Sequence, residues 1–162
     1  MEPSDLDLPT LVSLAGNGVV RDLLARLARE GYPGVRPSHG YVIQRLVDGE
    51  PTITALAEQL QITQQGASKQ VHELERLGLV ERRVVAGDAR SRAVRLTERG
   101  RGALESGRRA RVQLETELVE RVGPDDVATA RAVLATCLEL VGLGDQVRGR
   151  RVAPPVDEGP GS

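Results

Sequence analysis

At 162 residues, 40% of them apolar and 28% charged, the chain has the length and make-up of one globular domain, or of a small unit joined to an oligomerisation element. A formal net charge of −1 excludes a uniformly basic nucleic-acid coat, and the lone cysteine, Cys137, excludes an intrachain disulfide and a multi-cysteine metal site. No apolar run reaches membrane-spanning length and the acidic N-terminus does not resemble a signal peptide, so a cytoplasmic protein with no membrane partner is expected.

The segment 1–7 is polar and Pro-containing, hence expected to fray. From about Thr10 to Glu30, Leu11, Leu14, Val19, Leu23, Leu24 and Leu27 recur at helical spacing, with Gly16 and Gly18 weakening the middle. Tyr32-Pro33-Gly34 breaks that helix. Ser38 is a candidate N-cap for a second helix through Tyr41, Val42, Leu46 and Val47, which stops at Asp48-Gly49. Thr54 can cap a short helix, Ala55–Leu60. Thr63 can cap a longer one to Leu77, closed by Gly78. Leu79–Val85 and Ser91–Leu96 read as a hairpin around the polar loop Ala86–Arg90. Thr97 caps a long helix, and Gly123-Pro124-Asp125-Asp126 stops it and starts the next, which carries Val127, Ala130, Leu134, Leu138 and Val141. Beyond Gly144 the chain is Gly-, Pro- and Arg-rich, and disorder is expected.

The order is two helices, a helix-turn-helix, a hairpin and two helices. The expected fold is mainly α with a small β-hairpin wing: a winged helix-turn-helix over residues 37–100, flanked by dimerisation helices over 8–36 and 101–143, with disordered tails at 1–7 and 144–162. With no Phe or Trp, the core must be built from Leu, Val and Ala, and sharing it between two copies would raise the fraction of surface buried. Charge is unevenly spread. Residues 61–101 carry nine basic and five acidic groups, against five and eight before them and eight and ten after them.

These segments resemble the MarR family of bacterial transcriptional regulators. The resemblance rests on Thr54-Ala55-Leu56-Ala57, Thr63-Gln64-Gln65-Gly66-Ala67-Ser68-Lys69 and Leu74-Glu75-Arg76-Leu77-Gly78-Leu79-Val80-Glu81-Arg82, with Asp88-Ala89-Arg90 at the wing tip and Val94-Arg95-Leu96-Thr97-Glu98-Arg99-Gly100 after it. It extends from about residue 8 to 143. It implies a DNA-binding regulator, with repression as its usual mode, acting as a homodimer on a pseudo-palindromic operator. The peroxide-sensing and urate-responsive branches of the family use an N-terminal cysteine and an N-terminal Trp, and this chain has neither.

On the helix from Thr63 to Leu77, Ala67, Val71 and Leu74 share one face, expected to bury against Leu56 and Leu60. The opposite face presents Gln65, Lys69, His72 and Arg76, with Ser68 at its margin. Gln pairs adenine and Lys pairs guanine in the major groove, and base contacts concentrate in the first turns of a recognition helix. That position weighs against a merely solvated polar face. Thr63 and Gln64, at the positive helix end, suit a phosphate. The resemblance gives Asp88 the role of orienting the wing and Arg90 that of entering the minor groove. Arg92, Arg95, Arg82 and Arg83 are candidates for phosphate contacts.

The resemblance also implies a small-molecule pocket between the dimer helices and the DNA-binding lobe. There His39 and Tyr41 could contact a small aromatic or anionic effector, or else serve the interdomain seam. Cys137 reads as a core thiol, having no adjacent basic residue to activate it. No cofactor or metal is expected. An enzyme would need convergent acid, base, nucleophile or metal ligands, and His39 and His72 with one cysteine do not supply them. The remaining alternative is a winged helix used only as a protein-interaction module, against which the basic wing argues.

Overall fold

The computed structural model describes residues 2–85 and 88–149, and the side chains of Val85 and of residues 88–91 lie outside the described set. A 3-10 turn over Pro3–Asp5 precedes helices α1 (Leu8–Arg29), α2 (Pro37–Arg45), α3 (Ile53–Leu60) and α4 (Gln64–Arg76). Strands β1 (Val80–Val85) and β2 (Asp88–Leu96) follow, then helices α5 (Glu98–Val122), α6 (Pro124–Leu140) and α7 (Gly144–Arg148). This is the winged helix-turn-helix with flanking helices that the patterning implies.

Local chemistry accounts for most boundaries and corrects several expected ones. Asp7 caps α1, its carboxylate accepting the Thr10 N–H at 2.9 Å, so the helix begins before Thr10 and runs on through Gly16 and Gly18. Ser38 is not the cap of α2. Proline favours the first helical position, so Pro37 sets the start and Arg36 takes the cap. Thr54 is likewise displaced by Thr52, whose backbone is extended and whose Oγ1 accepts the Ala55 N–H at 3.2 Å. Thr63 caps α4 as expected, accepting the Gly66 N–H at 3.0 Å, and Gly78 closes it at φ +71°.

The hairpin is longer on its second strand than expected. β2 starts at Asp88 instead of Ser91, and its register against β1 jumps from Val84↔Arg92 to Val85↔Asp88. The extra residues on β2 form an irregularity of the kind that bends and twists a hairpin end. Of the expected polar loop, Ala86 and Gly87 lie outside the described residues. Pro51 and Thr52 add a short third edge, through Val94 N–H to Pro51 O at 2.9 Å and a bridge between Thr52 and Ala93.

The tails also depart from expectation. Pro3–Asp5 is a 3-10 turn and Gly144–Arg148 a short helix, held to α6 by Arg148 on Glu139 (2.5 Å) and capped by Arg148 on Asp145 (2.7 Å). Residues 150–162, expected to be disordered, lie outside the described residues.

One core lies within the winged helix-turn-helix lobe. Val42, Ile43, Leu46, Leu56, Leu60, Val71, Leu74, Leu79, Val80, Val94, Leu96 and Ala103 form it, drawn from every element between α2 and α5. The flanking helices are built differently. α6 has no buried residue, and Leu14, Leu118, Leu134, Leu138 and Val141 stand exposed on α1, α5 and the end of α6.

Candidate nucleic-acid interface

The α4 helix divides as its spacing requires. Ala67, Val71 and Leu74 are buried in the core against α3, while Gln65, Lys69, His72 and Arg76 face outward with Ser68 half-buried at their edge. Gln64, Gln65, Ser68, Lys69 and His72 line an open groove with Ile53 on its far wall. Gln64 is not free to swing, because its Nε2 donates to Thr54 Oγ1 at 3.2 Å and ties the start of α4 to α3. The Thr63 hydroxyl oxygen is occupied by the cap. The positive N-terminal end of α4 lies beside the same groove, which Gln64 and Gln65 line. Lys69, Gln65 and His72 have no ion pair among the described residues, so their polar atoms are presented to solvent.

The wing divides the candidate cations into two sets. Arg82 pairs with Glu75 at 3.1 Å, Arg83 with Glu81 at 3.5 Å, and Arg95 with Glu81 at 2.5 Å, the last also accounting for the lowered pKa of Glu81. These three hold the hairpin to α4 and to itself, and only a competing phosphate would redirect them. Arg92 is exposed and without an ion pair among the described residues. Asp88 and Arg90 belong to β2 by their backbones, and their side chains lie outside the described residues.

His39 and Tyr41 part company. His39 is 1% exposed and joins two helices. Its Nδ1 accepts the Arg36 N–H at 3.2 Å, which leaves the proton on Nε2, facing Glu73 Oε2 on α4 at 3.0 Å. It is a seam residue, and the cleft that Tyr41 faces is lined without it. Tyr41 faces a cleft of about 230 Å³ between α1, α2 and α5, walled by Val20, Leu23, Leu24, Leu27 and Leu104 with Arg36 and Arg111 among its lining.

Burial pushes the His39 pKa below its ordinary 6.5; the Glu73 hydrogen bond opposes this and the Arg36 charge adds to it. The folded state therefore favours neutral imidazole. That contribution is complete above the unfolded value and is lost as pH falls below it towards the lowered folded value. Glu73, held below its usual 4.5 chiefly by the His39 hydrogen bond, loses its own contribution only in more acid solution. The melting temperature of the wild type should thus drop between roughly pH 7.5 and pH 5.5, and His39→Gln should flatten that drop. Equal slopes for both proteins would remove His39 as its source.

Cys137 is not in the core of the single chain. It is half-buried on α6, beside exposed Leu134, Leu138 and Val141. Arg36, Glu73 and Arg111 were not singled out by sequence reading. No local pattern marks them, since their roles depend on a partner 37 residues away or on three helices meeting. Among the described residues no cluster of His, Cys, Asp and Glu could hold a metal, and no helix is long and apolar enough to cross a membrane.

Residues 34–91 match the model of the MarR family. No curated protein is similar enough in sequence to match. Among solved structures, the YusO protein of Bacillus subtilis superposes with a TM-score of 0.66 at 16% identity, over 82% of this chain and 93% of that one. A MepR–DNA complex from S. aureus superposes with a TM-score of 0.64 at 22% identity, over 83% and 97%. A MarR mutant from E. coli reaches 0.61 at 22% identity, over 82% and 97%.

Proposed function

This chain carries the MarR-family winged helix, and from that premise we propose that it is a sequence-specific DNA-binding transcriptional regulator, a repressor acting as a homodimer on a pseudo-palindromic site. The observation that carries the reading is the outward face of α4: Gln65, Ser68, Lys69 and His72, without a side-chain hydrogen bond or ion pair among the described residues, on a helix whose other side is locked into the core. Gln and Lys read base edges, and the capped N-terminus of α4 suits a phosphate beside Thr63 and Gln64. MepR of S. aureus, similar in fold, was solved as a complex with DNA, which supports DNA as the partner of this fold. Arg90, oriented by Asp88, enters the minor groove, and Arg92 adds a phosphate contact. Such a protein works in the cytoplasm, where the DNA is.

The cleft facing Tyr41 gives the reading its regulated form. Its walls are largely apolar and its lining includes two arginines, Arg36 and Arg111, which suits a small aromatic anion. Such a ligand would release the operator by favouring a lobe spacing that does not fit DNA.

Selection of bound sequences from a random DNA pool tests the class and the residue roles together. Wild type should enrich a two-fold-symmetric site with half-sites about 10 base pairs apart. Gln65→Ala and Lys69→Ala should each relax one half-site position, at about 1–3 kcal/mol. Arg90→Ala should leave that core preference and flatten the preference for A·T-rich flanks. No enrichment with the wild type would favour a protein-interaction module instead.

A further inference from the structure

Arg99, in the first turn of α5, joins the ends of two other helices. Its guanidinium donates to Gly31 O, just beyond the last turn of α1, at 2.6 Å. Its Nε donates to Leu77 O, at the C-cap of α4, at 3.3 Å. The guanidinium carbon also lies 5.0 Å from the centroid of the Tyr32 ring, which packs against the lobe core. A helix end carries partial negative charge and carbonyls without an intrahelical partner, and one cation here serves two such ends. Thr97 ties α4 to α5 through its hydroxyl on Gly78 O at 2.6 Å, and Arg99 extends that junction to α1. None of these residues lines the groove beside Gln65, Lys69 and His72, so the junction holds the recognition helix from outside its reading face.

We propose that Arg99 is a positioning residue that sets the spacing of the two half-sites, by clamping the end of α4 to the end of α1. The proposal rests on the DNA-binding homodimer read above and adds what fixes the geometry of its site. α1, with exposed Leu8 and Leu14, belongs to the flanking helices that would unite two copies, whereas α4 reads one half-site. Whatever fixes α4 to α1 within each chain therefore fixes the two recognition helices relative to each other. One base pair added between half-sites moves a lobe about 3.4 Å along the duplex and about 35° around it. A clamped lobe meets one spacing, and a lobe that rocks on α1 tolerates its neighbours. Two carbonyls and a ring held at once need the planar donor fork, which an ammonium lacks. The side chain is exposed, so these contacts limit the discrimination that Arg99 supplies to about tenfold.

The test offers the full chain its selected half-sites at the preferred spacing and at one base pair more or fewer. Affinities are measured by fluorescence anisotropy at constant ionic strength. Arg99→Gln should lower the ratio between the preferred spacing and its neighbours by about tenfold, with base preference inside each half-site unchanged. Arg99→Lys should recover part of that ratio, and Tyr32→Leu, which removes the ring beneath the guanidinium, should lose part of it. Arg101→Gln is the control. It removes a hydrogen bond from α5 to Leu96 O, 3.0 Å long and within the lobe, and should keep the wild-type ratio. An Arg99→Gln protein with the wild-type ratio would overturn the proposal and leave the DNA-binding function standing. So would Arg99→Lys and Tyr32→Leu proteins that both match wild type, or an Arg101→Gln protein that loses as much as Arg99→Gln. A pool selection that yields no paired half-sites would remove the homodimer reading and the proposal together.

Discussion

Gly100→Ala should destabilise the protein by about 3 kcal/mol, the upper end of what overpacking costs, and should deplete the folded protein in a cell. Gly100 lies in the first turn of α5, in the Leu-Thr-x-x-Gly segment. A Cβ there would stand inside the van der Waals envelope of the Leu79 carbonyl oxygen, 2.9 Å from its carbon and 3.2 Å from Leu96 Cδ2. The obstacle is backbone, and that backbone is held: Leu79 O accepts the Thr97 N–H at 3.0 Å, while Thr97 Oγ1 donates to Gly78 O at 2.6 Å and accepts the Gly100 N–H at 3.0 Å. Nothing can yield without parting α5 from the end of α4. Gly102→Ala meets the Tyr32 hydroxyl, the end of a side chain that also stacks under Arg99, and should cost less. Gly107→Ala finds its nearest atom, the end of the Arg111 side chain, at 3.8 Å, and should be neutral or gain up to about 1 kcal/mol from helix propensity. Urea unfolding of the three variants checks the order, and a Gly100→Ala protein as stable as Gly107→Ala would contradict this packing.

The same segment shows what a linear sequence can convey. Thr63, Thr97, Gly78 and Gly123 were legible because a cap or a stop is decided within four residues, by a side-chain oxygen facing a nearby N–H or by a φ only glycine tolerates. Ala67, Val71 and Leu74 were legible because one helical period set them opposite Gln65 and Lys69. Where two local signals competed, the reading slipped by one or two residues: Pro37 outranked Ser38, and Thr52 outranked Thr54. Long-range pairings left no trace at all. That His39 would meet Glu73 instead of lining the cleft depends on how α2 crosses α4, and no spacing encodes it. The pairing of Arg82, Arg83 and Arg95 with carboxylates was hidden in the same way, so basic charge in the wing overstated the number of uncommitted cations.

Exposed apolar side chains on the flanking helices lead to the second large effect. Leu134, Leu138 and Val141 follow one another along one face of α6 and its end, at 46%, 36% and 67% exposure, and Leu14 and Leu118 stand exposed on the neighbouring helices. A helix of 17 residues with no buried side chain gains little from its own chain, and needs an apolar partner to offset the entropy of ordering it. In the homodimer proposed above a second copy is that partner, and a two-fold contact would set each Leu134 and Leu138 against the same surface of the other chain. Leu134→Glu with Leu138→Glu would place four carboxylates in that contact per dimer. Sedimentation should then find a monomer at micromolar concentration. The lobe core, drawn from α2 to α5, should keep its hydrogen-exchange protection, because none of its residues lies on α6. DNA affinity should fall by about a hundredfold or more, since two half-sites would no longer be bound by linked lobes. Leu140→Glu supplies the control: at 80% exposure it lies two residues from Leu138, on the opposite side of the helix, and should leave the dimer intact. A double variant that remains dimeric, or one that becomes monomeric and still binds the full site with wild-type affinity, would show that this face does not unite the two lobes.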